Sequence, residues 1–461
     1  MNGKGRYDRA AVMAPMLRYA AETEARVRAG VEENRKGPAT ILLTDAHGRP
    51  CESAHVEVRQ LEHEFRIGAN LFMLGEFPEG AEKNELYEKR FADAFNLATL
   101  PFYWAGLEAE EGRPRYAKDA PPLYRRPPPD RCLEWCEAHG VEPKAHCLNY
   151  VASYATPAWV RGGGVAREKR LLARHFAELA ARYAQRIPSW EVVNETLHWK
   201  PDRLAASDFF AEPDHVEWSF KTADRYFPGN RLIFNETQLY VWEDFRGSRS
   251  PYYLLLENAL LKGCRIDAIG IQAHSFWGTD MAEVARRAAV QYDPRLIFAV
   301  LDTYAALGRP IQITEVTIPA YSDHPDDEAV QAEILRELCR IWFSHRAVEG
   351  FVYWNLPDGY AAGSAPGDFS KGENLFYGGL CRFNLSPKPA YEVVRDLFQH
   401  EWRTDFVRDV SGGRLDFRGF FGTYEVKATS CGHTVTRRFA ITRGNPLPVK
   451  IDFSSADSAT P

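Results

Sequence analysis

Between residues 64 and 398 the chain alternates short apolar runs with helical periodicity, and it does so eight times. The runs fall at 65–71, 94–99, 143–150, 189–194, 231–235, 266–272, 311–316 and 350–355. They are rich in Val, Ile, Leu and Phe, the composition of strands buried on both faces. The gaps between them carry amphipathic spacing, clearest at Leu172, Phe176, Leu179 and Tyr183 and again over 328–343. A strand followed by a helix, repeated eight times, predicts an α/β fold, a (β/α)8 TIM barrel with long loops. A doubly wound open sheet is the alternative, but no Gly-rich phosphate-binding turn follows the first strand.

The flanks have a different period. Residues 10–34 read as one helix rich in Ala, Glu and Arg, ended by Lys36-Gly37-Pro38. Residues 39–44 and 54–59, separated by the turn Asp45-Ala46-His47-Gly48, read as a β-hairpin. Past a last helix ending near 398, the period returns to two at 414–418, 422–428, 433–438 and 449–453. That module is too short for a large core of its own. It is expected to pack with the N-terminal hairpin as a small accessory β-sandwich. The predicted organisation is a helix at 1–36, an accessory β segment at 37–63, the barrel at 64–400, a β module at 401–455 and a tail at 456–461.

Composition narrows the function classes. A net charge of −6 implies no general affinity for nucleic acid. No run approaches the roughly 18 apolar residues of a membrane span. The first 36 residues are charged throughout and lack the apolar core of a secretion signal, so a cytoplasmic protein is expected. A chain from which such a signal had been cut would read the same. The eight cysteines are scattered; Cys132 and Cys136 lie four apart with no second pair, which reads as thiols rather than zinc ligands. No metal or other cofactor is expected. Aromatic residues reach 13%, with 11 Trp and 21 Tyr, a richness that suits a sugar-stacking cleft as well as a large core.

In a barrel of this kind functional residues collect at the C-terminal ends of the strands. Those ends carry His146 and Asn149, Asn194 and Glu195, Asn235 and Glu236, Gln272 and His274, Glu315, and Trp354 and Asn355. Glu195 and Glu315 would face each other across the closed barrel. Two carboxylates in an aromatic cleft suit glycoside hydrolysis, where one gives a proton to the leaving oxygen and the other attacks the anomeric carbon.

Trp190-Glu191-Val192-Val193-Asn194-Glu195 resembles the acid/base motif of glycoside hydrolase family 10, the xylanase-type enzymes. Ile313-Thr314-Glu315-Val316-Thr317-Ile318 is similar to that family's nucleophile strand. Ile266-Asp267-Ala268-Ile269-Gly270-Ile271-Gln272-Ala273-His274 resembles its sixth strand, and Pro387-Lys388-Pro389-Ala390-Tyr391 its closing helix. The resemblance implies Glu195 as general acid/base and Glu315 as nucleophile of a retaining reaction. It further implies that Asn194 binds the sugar 2-hydroxyl, that His274 holds the nucleophile, that His146 and Gln272 touch the same sugar and that Trp354 forms its floor. Asn235 stands where the family places a further site residue.

The chain also departs from the family. Thr99-Leu100-Pro101-Phe102-Tyr103-Trp104 replaces the polar sugar-binding cluster that follows the second strand, so Tyr103 and Trp104 are expected to line that part of the cleft. Thr317 stands where the family has Asp. Arg246-Gly247-Ser248-Arg249 would meet an acidic sugar or remain a solvated loop. A divergent retaining hydrolase of β-1,4 bonds in xylan-like poly- or oligosaccharides is therefore expected. The alternatives are a β-glycosidase for another glycan or a glycosylated small molecule, and a carbohydrate-binding barrel without catalysis. A metal-dependent barrel hydrolase would need a His-x-His pair after the first strand, and 65–72 has none.

Overall fold

The computed structural model describes residues 5–444 and 447–453. The predicted tail at 456–461 lies outside them. Among the described residues, fifteen strands form three sheets. Eight close a parallel barrel: β3 (Arg66–Asn70), β4 (Leu97–Pro101), β5 (Glu142–Asn149), β6 (Ser189–Asn194), β7 (Arg231–Glu236), β8 (Ala268–His274), β9 (Ile311–Thr317) and β10 (Val348–Tyr353). They lie in chain order, β10 meeting β3. Every residue of β4, β6 and β9 is buried, as apolar runs wrapped by helices should be.

The predicted runs coincide with these strands, with offsets at the ends. β4 starts at Leu97 rather than 94, because Asn96 turns back to β3: its Oδ1 accepts from the Ile67 N–H at 2.8 Å. β10 stops at Tyr353, which leaves Trp354 and Asn355 beyond the strand and at the barrel mouth.

The other strands build the accessory sandwich. One sheet runs β12 (Arg414–Phe420), β1 (Lys36–Thr44), β15 (Val449–Asp452); the other runs β11 (Phe406–Ser411), β2 (Ser53–His63), β13 (Gly422–Ser430), β14 (His433–Ile441). The expected hairpin of the two N-terminal strands is not formed. A turn held by Asp45 joins β1 and β2, but the strands then go to opposite sheets. Each has one alternating apolar face, Ile41 and Leu43 on β1, Val56 and Val58 on β2. Stacking the faces buries both in one core with Tyr424, Val426 and Ile451, whereas a flat hairpin would leave a face wet. β11 escaped the sequence reading because it is an edge strand whose Val407 points outward and is 61% exposed.

Among the described residues, one compact unit comprises 5–20, 67–342 and 347–394, and a second comprises 21–66, 343–346, 395–444 and 447–453. The single N-terminal helix of the sequence reading is two, Arg9–Arg18 and Ala20–Asn34. Pro15 removes a ladder N–H near the break, and Tyr19 leaves helical geometry at φ −109°. No helix among the described residues is long and apolar enough to cross a membrane.

Candidate active site

The strand register assembles the site. His146 on β5 stands beside Glu191 on β6, Asn194 beside Asn235 on β7, and Gln272 on β8 beside Glu315 on β9. Neighbouring parallel strands thus hand polar side chains to one another around a single mouth.

Gln272 lies between the two carboxylates. Its Nε2 is 3.2 Å from Glu195 Oε1 and 3.0 Å from Glu315 Oε1, so those oxygens are no farther apart than the sum of the two. Glu315 is 5% exposed and held by three groups: Asn235 Nδ2 donates at 2.9 Å, Gln272 Nε2 reaches the same oxygen, and His274 Nε2 stands 3.2 Å from Oε2. The Thr317 hydroxyl donates to the Trp354 carbonyl, so its oxygen accepts from His274 Nδ1 at 2.9 Å. That bond selects which ring nitrogen bears the proton facing Thr317.

Glu195 just follows β6 at φ +53°, its N–H bonded to the Asn235 carbonyl at 3.1 Å. Its Oε2 accepts from the Tyr150 hydroxyl at 2.9 Å and from Arg203 Nη2. Burial works to raise the Glu195 carboxyl pKa. The His198 ring, Arg203, Gln272 and Tyr150 outweigh it and hold the group well below the ordinary carboxylate range. His198 Nδ1 is 3.8 Å away, too far for a hydrogen bond, so contact with the charged group comes from Arg203.

Beneath the pair lies a buried ionic triad. Glu191 takes the Lys144 ammonium on one oxygen and His146 Nδ1 on the other, both at 2.5 Å. Burial opposes the charge on Glu191, but the two cations keep its pKa depressed. Burial likewise lowers the His146 pKa, and Glu191 more than reverses this. Glu236 is different: burial pushes it up to about 7, against N–H donation from Thr237 and Leu197. Through Leu197 and Thr196 it ties down the turn that carries Glu195.

Most of the predicted residues meet at this mouth. Asn194 Oδ1 accepts from Asn235 at 2.8 Å and lies 3.3 Å from Gln272 Nε2. Trp354 packs edge-on to Phe72 with centroids 5.0 Å apart, in a buried wall with Tyr103 and Tyr150. The Tyr103 hydroxyl is 3.0 Å from His146 Nε2.

Two expectations need correction. Trp104 does not face the cleft: the chain turns into the short helix Trp104–Leu107, sending Tyr103 inward and Trp104 outward to stack on His175 at 4.3 Å. Asn149 points away as well, to His215 and Ser219 at 3.1 Å each. Asn235 is at the centre, with both Nδ2 hydrogens engaged within the protein. Its Nδ2 serves Glu191, Asn194 and Glu315, and its Oδ1 accepts from the Thr314 hydroxyl. Its contact with Glu315 gives it a positioning role. Arg246 pairs with Asp244 at 2.6 Å in an exposed loop.

The sequence reading missed Arg203, Tyr150, Lys144, Arg125 and Arg126. A lysine two positions before His146 within a barrel strand was a usable signal, since a buried ammonium requires a counter-charge. The arginines come from loops, where no period points them inward. His146, Glu191 and Glu315 also bring possible metal-ligand atoms within 4.8 Å of one another. Lys144 already neutralises Glu191 there, so a divalent ion would meet a fixed positive charge.

A family model described as Glycosyl hydrolase family 10 matches residues 108–397, well over half the chain. Endo-1,4-beta-xylanase 2 of Arabidopsis thaliana is 24% identical over 453 residues, covering 96% of this chain and 37% of that protein. Anti-sigma-I factor RsgI6 of Acetivibrio thermocellus is 25% identical over 411 residues, covering 87% and 46%. The chain thus spans less than half the length of these two relatives. Endo-1,4-beta-xylanase B of Thermotoga neapolitana is 26% identical over 381 residues, covering 79% of this chain and 98% of that protein. In structure, xylanase 10B from Thermotoga petrophila RKU-1 in complex with xylobiose superposes with a TM-score of 0.57 at 20% identity, covering 73% of this chain and 95% of the other.

Proposed function

The chain belongs to glycosyl hydrolase family 10, and from that premise we propose that it is a retaining glycoside hydrolase cleaving β-1,4 bonds in xylan or a related poly- or oligosaccharide. The observation that carries this reading is the Gln272 amide standing within hydrogen-bond distance of both carboxylates. Retaining pairs lie about 5–5.5 Å apart and inverting pairs about 6.5–9.5 Å. A shared amide supports the shorter spacing, which leaves no room for a water between carboxylate and sugar.

In this mechanism Glu315 attacks the anomeric carbon while Glu195 delivers a proton to the leaving oxygen. The bond to the leaving sugar breaks, and the glycone is held as an ester on Glu315. Water then attacks the ester, gives its proton to Glu195 and restores the β configuration. Asn235, Gln272 and His274 hold Glu315 in line for both steps. Asn194 is the hydroxyl-binding group beside it, and Trp354 with Tyr103 forms an aromatic floor for the ring. For Glu195 to protonate the leaving oxygen, Arg203 has to release it.

The test is product analysis on xylan, xylo-oligosaccharides and aryl β-glycosides, with the first anomer followed by NMR. The β anomer should appear first, Glu315→Ala should abolish turnover, and Glu195→Ala should spare only substrates with good leaving groups. Initial release of the α anomer refutes retention. One observation favours a second reading, a sugar-binding barrel without turnover: the Arg203 ion pair that keeps Glu195 ionised. Glycan binding without product over long incubation would support it.

A further inference from the structure

The long segment between β4 and the helix Pro129–His139 delivers two guanidinium groups to the aromatic wall of the cleft. Arg125 is engaged within the protein, donating from Nη1 to Asn355 Oδ1 at 2.8 Å and to the Tyr360 carbonyl. Arg126 is not. Its Cζ stands 3.9 Å above the Tyr103 ring centroid, on the residue whose hydroxyl meets His146. Its side chain makes one hydrogen bond to the protein, from Nη1 to the Arg125 carbonyl at 2.8 Å. No carboxylate among the described residues pairs with it. Two of the three acids of the cleft already face a cation, Glu191 with Lys144 and His146 and Glu195 with Arg203, and Glu315 accepts from the Asn235 and Gln272 amides.

The position is built rather than incidental. The Arg126 N–H bonds the Leu123 carbonyl at 2.7 Å, and the Arg126 carbonyl accepts from Arg115 Nη2 at 3.1 Å. Gly106 leaves room for the arginine stem, since a Cβ there would come within 3.2 Å of Arg126 Cδ. Burial, together with the adjacent Arg125 charge, pushes the Arg126 pKa down to about 10, the Tyr103 ring acting against them. Arg126 is half-buried, and a partly desolvated cation without a counter-charge is favoured when something anionic completes it.

We infer that Arg126 recognises an anionic group, a carboxylate or a sulfate ester, on the sugar bound against Tyr103 and His146. The inference rests on the glycosidase reading for what occupies the cleft. The free edge of the guanidinium offers two parallel N–H donors, a fork that matches two oxygens of either group. A charge-assisted bond of this kind changes affinity by about 10- to 100-fold.

The test uses the Glu315→Gln variant, so that binding is read without turnover, and a matched series of cellobiose, cellobiouronic acid and cellobiose 6′-sulfate in calorimetry. One or both charged ligands should bind about 10- to 100-fold tighter than cellobiose. Adding Arg126→Gln should erase the ratio, and adding Arg126→Lys should keep part of it. A general loosening of the loop would weaken all three ligands together and leave the ratio intact, which overturns the inference. Equal affinity for the three ligands overturns it too. If the wild type cleaves neutral and anionic glycosides with equal kcat/KM, the glycosidase reading stands and this inference falls. If the wild type cleaves no glycan while Arg126-dependent binding of the charged ligands persists, the glycosidase reading falls and this inference stands.

Discussion

Replacing Arg203 should move the pH range in which this site works. The guanidinium contacts Glu195 Oε2 with both partners mostly shielded, the side chains being 6% and 17% exposed. Solvent and salt therefore screen the pair little. A cation in contact lowers a carboxyl pKa by about 1–3 units, and each unit is tenfold in the protonated fraction. Arg203→Met should raise the alkaline limb of kcat/KM, which reports the acid of the free enzyme, by about 1–3 pH units. For an aryl β-glycoside with a poor leaving group, kcat/KM above the old limb should rise by about tenfold per unit recovered. A 2,4-dinitrophenyl glycoside needs no acid, and its rate should hardly change. Arg203 Nη1 also donates to the Val151 carbonyl at 3.1 Å, so the variant should lose about 1–3 kcal/mol of stability, read separately by thermal melting. The reasoning is refuted if the limb stays in place, or if both substrates lose rate by the same factor.

Three further outcomes follow from the packing around the pair. Asn235→Ala removes a donor to Glu315 and leaves the Thr314 hydroxyl without its acceptor; kcat should fall by about 10²-fold with a much smaller change in KM, and equal changes in both would contradict a positioning role. Glu191→Gln leaves the Lys144 ammonium buried without its counter-charge and should cost about 3–5 kcal/mol in urea unfolding. In the wild type, the depressed Glu191 pKa contributes stability above about pH 4 that is lost as acid is added. The raised His146 pKa contributes stability below about pH 6.5 that is lost as pH climbs through its folded value, so the triad stabilises most between the two. Calorimetry across pH should show both flanks in the wild type and a flatter profile in the variant. Gly68→Ala would place a Cβ 2.5 Å from the Leu97 carbonyl where β3 meets β4, and should destabilise by about 1–3 kcal/mol; an unchanged melt would mean that β3 has room to shift.

The barrel was legible because its signal is local and repeated. A strand buried on both faces must be apolar along its whole length, so polar residues such as Asn194, Gln272 and Glu315 stand out at its end. Parallel neighbours then bring those ends to one mouth whatever their separation along the chain. The accessory sheets were legible as strands but not as partners, since an alternating apolar face fits a hairpin or a sandwich equally well. Burial of Ile41 and Val56 from opposite sides chose the sandwich. Trp104 and Asn149 sit one turn or one residue from site positions, and a local change of direction sent them outward.

By itself the sequence determined the eightfold strand–helix order, the acids at the ends of β6 and β9 and the motifs around them, because each depends on near neighbours along the chain. Only the tertiary structure decided which groups reach those acids. Asn235 is tied to Thr314 and Glu315, Glu195 is paired with Arg203, and Arg126 stands over Tyr103 with no carboxylate partner among the described residues. Electrostatic interactions depend on distance and burial through space, and these partners come from loops whose spacing in the chain carries neither.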